Sequence, residues 1–67
     1  MDAFDVIVSL TEQAKASDHA YAERSLGSAG ILSVEVNGGV PFYRIESSSS
    51  SYEPTMSQLL AVISGVL

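Results

Sequence analysis

Sixty-seven residues with a formal net charge of −5, no cysteine and one histidine set narrow limits on this chain. A chain of this length has room for one hydrophobic core, and disulfide bonds are excluded because cysteine is absent. A zinc site is disfavoured because His19 is the only histidine, so we expect neither a metal nor another cofactor. Eight acidic residues against three basic ones disfavour direct nucleic-acid binding, since phosphates need a basic surface.

The sequence shows no pattern typical of export or membrane insertion. Acidic Asp2 and Asp5 stand where a signal peptide has basic residues. The longest apolar stretch, residues 59–67, is interrupted by Ser64 and Gly65 and is far shorter than the ~20 residues that span a bilayer. We therefore expect a cytoplasmic protein that makes no membrane contact.

Residues 3–26 have the periodicity of one long amphipathic helix. On a helical wheel, one narrow sector holds the apolar residues Ala3, Ile7, Leu10, Ala14 and Tyr21. The polar side holds an acidic stripe formed by Asp5, Glu12 and Glu23. A helix of this length spans roughly 36 Å, whereas seven-residue strands span roughly 23 Å. We therefore expect the helix to extend beyond its sheet and to need cover there.

Residues 30–46 predict a β-hairpin around Asn37-Gly38-Gly39. Asn-Gly between β-branched runs is a strong hairpin signal, because a type I′ turn needs positive φ at both central residues. A two-residue or four-residue loop gives a core face made of Leu32, Val34, Val36, Pro41, Tyr43 and Ile45. A three-residue loop would place Val40 and Phe42 there instead. We favour the first face, which leaves Ile31, Val40 and Phe42 exposed.

The C-terminal part predicts a connector and a second helix. Residues 47–53 contain a run of five serines and are typical of a flexible connector. Thr55 and Gln58 have capping-box spacing, and the apolar residues after them recur at helical intervals, which predicts a helix over residues 55–66. Together the segments predict one α+β domain of order α-β-β-α over residues 1–67, with both helices on one face of the hairpin.

The search for catalytic groups yields no convergent set. His19 is the only candidate general base, and on the predicted helix it falls on the polar side between Lys15 and Glu23. A nucleophile or paired acid would have to converge on it, and the sequence offers none, so a solvated histidine is favoured. Residues 27–30 resemble a phosphate-binding loop in composition alone, because they follow a helix and precede a strand. We expect a protein that is not an enzyme.

Two resemblances rest on general features of the chain. The order helix, hairpin over residues 31–45, helix is similar to the first half of roadblock-type domains, which continue with further strands that this chain lacks. In size, acidity and lack of a catalytic motif, the chain also resembles the compact inhibitors made by phages, including anti-CRISPR proteins. The second resemblance implies an inhibitor that acts by binding another protein.

These observations favour a small acidic protein-binding module, an inhibitor or an adaptor. Two surfaces are its candidate contacts. The acidic stripe would steer encounter with a basic partner, and Phe42, with Val40 and Ile31 around it, would be the apolar anchor. We also expect a homodimer, because a two-stranded sheet and an overhanging helix leave strand edges and apolar surface uncovered. The alternatives are a structural subunit docked through its C-terminal apolar helix and, third, a minimal enzyme or ligand carrier.

Overall fold

The computed structural model describes residues 2–67. Two helices and four strands follow one another as α1 (Ala3–Ala16), β1 (Tyr21–Ser25), β2 (Ile31–Asn37), β3 (Val40–Glu46), β4 (Ser51–Tyr52) and α2 (Met56–Val66). A one-turn 3-10 helix, Gly27–Ala29, joins β1 to β2. The strands form one antiparallel sheet in the order β1-β2-β3-β4. The predicted α+β class is confirmed, and a strand is added on each side of the predicted hairpin.

The prediction of one helix over residues 3–26 is wrong beyond Ala16. The helix stops where Ser17 takes an extended conformation and its hydroxyl accepts a hydrogen bond from the His19 amide, at 3.2 Å. Such a local side-chain bond offers the backbone an alternative to continuing the helix. After the turn, residues 21–25 pair with β2 as a strand. With 14 residues α1 spans about 21 Å, so it matches the strands in length and has no overhang.

The central hairpin has the favoured register. Asn37 pairs with Val40, and the loop between them is Gly38 and Gly39, whose φ angles of +60° and +81° suit glycine. Leu32, Val34 and Ile45 are buried on the inner face of the sheet, while Val40 and Phe42 are exposed on the outer face. The alternative of a three-residue loop is therefore wrong.

Both helices cover the inner face of the sheet and form one core with it. The buried apolar residues are Ala3, Val6, Ile7, Leu10, Ala14, Leu26, Leu32, Val34, Ile45, Leu59 and Ile63. One polar link crosses this interface, where the hydroxyls of Thr11 in α1 and Tyr43 in β3 are 2.8 Å apart. Thr11 also donates to the Ile7 carbonyl, so its buried oxygen is satisfied. No helix of residues 2–67 is long and apolar enough to cross a membrane.

The C-terminal helix begins as the sequence predicts. The Thr55 hydroxyl accepts from the Gln58 amide, and the Gln58 side chain accepts from the Thr55 amide, so both halves of the capping box are formed. The serine-rich connector is shorter than the predicted 47–53, because Ser51 and Tyr52 pair with the end of β3 as β4. The preceding serines close a turn in which the Ser47 amide donates to the Ser50 carbonyl.

Candidate functional site

The outer face of the sheet, opposite the helices, is open and carries alternate residues of the strands in cross-strand rows. The register places Tyr21, Glu35 and Phe42 in one row and Glu23, Ser33 and Arg44 in the next. A further row holds Ser25, Ile31, Glu46 and Ser51. Val40, beside the hairpin turn, completes the face. Neighbouring rows are about 7 Å apart, because residues two apart on a strand share a face.

Three large apolar side chains make up what we call the aromatic patch: Tyr21, Val40 and Phe42. Phe42 is 51% exposed and lies two residues from Val40 on the same strand, and Tyr21 lies across β2 from Phe42, with Glu35 between them. Of the predicted anchor residues, the structure brings Phe42 and Val40 together but not Ile31. Ile31 is exposed on this face, yet it lies four residues along β2 from Glu35, about 13 Å from the Phe42 row.

Acidic side chains lie beside the aromatic patch, on the side away from the hairpin turn. We call Glu23, Glu35 and Glu46 the sheet-face acids; all three are exposed. Glu53 lies beside them and pairs with Arg44 at 3.6 Å, and Arg44 also donates to the Ser51 hydroxyl at 3.2 Å. Four carboxylates and one guanidinium give this face a charge of −3. The outer face therefore combines a negative surface with an adjoining apolar patch.

A shallow depression of about 330 Å³ lies over Ser33, the smallest side chain near the middle of the face. Tyr21, Phe42 and Glu46 are among the residues around it. The Tyr21 hydroxyl donates to Glu23 Oε2 at 3.0 Å. This hydrogen bond, with partial desolvation and the negative charges of Glu23 and Glu46, raises the pKa of Tyr21 above its ordinary value. The single hydroxyl proton of Tyr21 is thus donated to Glu23 at the wall of the depression.

The predicted acidic stripe of Asp5, Glu12 and Glu23 does not exist as one surface. Asp5 and Glu12 are exposed on α1, where the Asp5 amide donates to the N-cap Asp2 at 2.8 Å. Glu23 lies on β1 and points to the outer face of the sheet. The predicted stripe required a helix that continues past Ala16, where α1 ends.

The sequence reasoning missed Tyr21, Glu35 and Glu46 as site residues. Glu35 and Glu46 could have been found, because strand alternation puts them on the same face as Ile31 and Phe42. Tyr21 gave no such signal, since its segment fits a helical wheel and shows no apolar alternation.

His19 lies in the turn between α1 and β1 and is exposed. Within residues 2–67 no group of three or more histidine, aspartate or glutamate side chains is placed to hold a metal ion. A second depression, of about 250 Å³, lies between the C-terminal end of α2 and the β1–β2 connection, and Arg24 and Leu67 are among its lining residues. Its polar side chains are those of Arg24 and Ser25, with no histidine or carboxylate side chain among its lining residues, so the outer sheet face carries more polar and aromatic groups.

Comparison with family models, with curated proteins and with solved structures finds no match to this chain. Two features of the surface therefore bear on its function, the aromatic patch and the sheet-face acids.

Proposed function

We propose that the chain is a non-enzymatic protein-binding module, an inhibitor or an adaptor, that engages a basic partner through the outer face of its sheet. The observation that carries this proposal is the aromatic patch on a sheet face with no covering layer. An open antiparallel sheet usually has polar residues on its solvated face. Two aromatic rings and a valine there favour a contact surface over a solvated one.

The aromatic patch is suited to supply the affinity. Binding energy in protein interfaces is concentrated in a few central residues, among which aromatic side chains are enriched. Phe42 has a central place, with Val40 on its own strand and Tyr21 across the sheet. Phe42→Ala should weaken partner binding about 30-fold, equivalent to about 2 kcal/mol.

The sheet-face acids are suited to select the partner. A face with charge −3 attracts a surface rich in lysine and arginine and speeds the encounter at low salt. The same charges oppose face-to-face pairing of two copies, because the carboxylates of one copy would meet those of the other. We therefore assign this face to a different protein with a basic surface. The small size and the acidity of the chain suit an inhibitor of the kind made by phages.

Homodimerisation stays a prediction. Two of its reasons, an overhanging helix and a two-stranded sheet, no longer apply, since α1 has no overhang and the sheet has four strands. Its remaining support is the pair Phe4 and Val8, exposed one helical turn apart on α1, where two copies could pack across a two-fold axis. Light scattering should then give twice the chain mass of 7.1 kDa at micromolar concentration. A monomer with a cooperative melt would contradict it.

The alternative of a structural subunit docked through α2 has weaker support. Leu59 and Ile63 are buried in the core of this chain, so the apolar side of α2 is already used. The apolar residues that it leaves exposed are Met56, Val66 and the following Leu67, at the two ends of the helix.

Quantitative capture with matched variants tests the proposal. The chain is immobilised by an N-terminal tag, and the proteins retained from a lysate of its source cells are compared by mass spectrometry for wild type, Phe42→Ser and Met56→Ser. We expect one stoichiometric partner on wild type and on Met56→Ser, and at least tenfold less of it on Phe42→Ser. Circular dichroism checks that each variant is folded.

The matched pair also separates the two functions. Loss of the partner on Met56→Ser, with full retention on Phe42→Ser, would reject the sheet face and favour docking through α2. Equal retention by all three forms would reject both surfaces.

A further inference from the structure

The strand β1 is a free edge of the sheet and presents unpaired backbone groups. The Ala20 carbonyl accepts from the Val36 amide at 2.8 Å, and the Leu26 amide donates to the Gly30 carbonyl at 2.7 Å. In an antiparallel ladder, the backbone groups of every second residue bond to one neighbouring strand, and the backbone groups of the residues between them point to the opposite side. The N–H and C=O groups of residues 21, 23 and 25 therefore point away from β2. Within residues 2–67 they have no hydrogen-bond partner.

The opposite edge of the sheet is interrupted, whereas the β1 edge is regular. On β3 the residues whose backbone groups point away from β2 are Pro41, Tyr43 and Ile45; Pro41 has no amide to offer, and Ile45 is covered by β4. The β1 edge has five regular residues without proline or bulge, and the charges of Glu23 and Arg24 are what guard it. A regular row of free backbone groups is a template for a further strand whose own charges match them.

A groove runs alongside the β1 edge. It has a volume of about 190 Å³ and lies between β1 and a stripe of α1. The stripe consists of Val6, Ser9, Leu10 and Gln13. The buried Val6 and Leu10 give the groove an apolar floor, and the exposed Ser9 and Gln13 give it a polar wall. A strand added to β1 would direct alternate side chains into this groove, which is how edge-binding domains select extended peptides.

The charges at the edge indicate the sequence of the occupant. Glu23 projects to the outer side of β1 and Arg24 to the inner side, beside the groove. Among residues 2–67 neither side chain forms an ion pair. A strand that complements them carries a basic residue opposite Glu23 and, next to it, an acidic residue opposite Arg24.

A second copy of the chain suits this edge less well than a chain of matching charge. Antiparallel pairing of β1 with itself that uses all three free residues places Glu23 opposite the same glutamate of the copy. Shifting the register by two residues one way places the two Arg24 side chains opposite each other, and shifting it the other way leaves Ser25 unpaired. Like charges directly opposite destabilise a strand pair. The edge is therefore suited to a different chain.

We propose that the β1 edge and the α1–β1 groove bind an extended segment of another protein as a fifth, antiparallel strand, with its basic residue at Glu23 and its neighbouring acidic residue at Arg24. The proposal rests on the protein-binding function and names one binding element of it. It shares Tyr21 and Glu23 with the outer face but uses neither Phe42 nor Val40, so variants of Phe42 separate failure of one site from failure of the other.

A capped peptide with the sequence Thr-Asp-Lys-Val-Thr is the matched probe. Antiparallel addition places its Asp at Arg24, its Lys at Glu23 and its Val over the apolar floor of the groove. One control exchanges Asp and Lys, which keeps the composition and reverses the charges. A second control is N-methylated at the lysine amide, which removes one strand hydrogen bond and keeps every charge.

NMR titration of the isotope-labelled full chain measures the outcome. We expect the matched peptide to shift the amides of residues 21, 23 and 25 and to slow their hydrogen exchange. The charge-exchanged and N-methylated peptides should each bind at least tenfold more weakly. The double variant Glu23→Lys with Arg24→Glu should reverse the preference and favour the charge-exchanged peptide. Both side chains are exposed, so this variant should fold.

Three results would overturn the proposal. One is equal binding of the N-methylated peptide, which would mean charge attraction without strand addition. Another is the absence of shifts at the β1 amides. The third is a dimer whose β1 amides are already protected, because a second copy would then occupy the edge. The Phe42→Ser variant should bind the matched peptide as tightly as wild type. Loss of binding in this variant would place the peptide on the outer face, which would reject the β1 edge as its binding site without contradicting the proposed function.

Discussion

Exchanging one methyl group for a hydroxyl at two valines tests which face of the hairpin is the core. Val34 is 0% exposed on the inner face, and Val40 is 53% exposed on the outer face. Threonine has nearly the volume of valine, so the substitution creates little cavity, and the main change is a hydroxyl that must leave water at position 34. Burial of such a group costs roughly 1–3 kcal/mol. A chain of this length has a total stability of only about 3–10 kcal/mol.

Urea unfolding followed by circular dichroism measures the difference. With a slope of about 1 kcal/mol per molar urea, Val34→Thr should lower the midpoint by roughly 1–3 M. Val40→Thr should stay within about 0.5 kcal/mol of wild type, as surface substitutions usually do. A loss at Val40 comparable with that at Val34 would refute the two-residue turn and put Val40 in the core.

The remaining predictions concern single contacts. Tyr43→Phe removes the hydroxyl that meets the buried threonine of α1, so the free energy of unfolding should fall by about 1 kcal/mol in the same urea assay. Gly30→Ala should lower the free energy of unfolding by about 2 kcal/mol or more, because φ is +110° and a Cβ would overlap a β3 carbonyl oxygen. Gly65→Ala, at a helix position with open space around it, should instead raise the free energy of unfolding by about 0.5–1 kcal/mol. A similar effect of both substitutions would contradict the backbone argument. Glu23→Ala removes the hydrogen-bond acceptor of the Tyr21 hydroxyl together with its negative charge, so an NMR titration of that ring should show its pKa falling toward the ordinary value, and no change would contradict the assigned cause.

The parts of the fold that sequence could predict have local signals. The hairpin follows from Asn37-Gly38-Gly39, because the two glycines of the turn and the flanking β-branched runs act within a few positions. The start of α2 follows from the reciprocal capping of Thr55 and Gln58. Each element is specified by neighbours in the chain, so no tertiary contact had to be known.

Strand β1 could not be predicted in this way. Its sequence from Tyr21 to Ser25 has no apolar alternation, and two of its residues happened to continue the wheel of α1. It becomes a strand because β2 offers it a ladder, with Ala22 opposite the buried Val34. Tertiary pairing overrides local propensity here. The acidic surface was misplaced for the same reason, since Glu23 moves from a helix to the outer face of the sheet.

The candidate site was half predictable. Phe42 and Val40 follow from the hairpin register alone, and alternation on the same strands would have added Glu35 and Glu46. Tyr21 joins them only through the pairing of β1 with β2. The sequence therefore predicts the part of the site that lies on the hairpin, and it does not predict the part that depends on the pairing of β1 with β2.

Chemical-shift mapping with the purified partner tests the central claim, that the outer sheet face is the binding surface, most directly. The isotope-labelled chain is titrated with the partner identified by capture, and the amide shifts are assigned to the elements. The account predicts the largest shifts at Phe42, Glu35 and Tyr21, with the exposed side of α1 at Val8 unchanged. Largest shifts on α1 or α2, with the outer face unchanged, would contradict it.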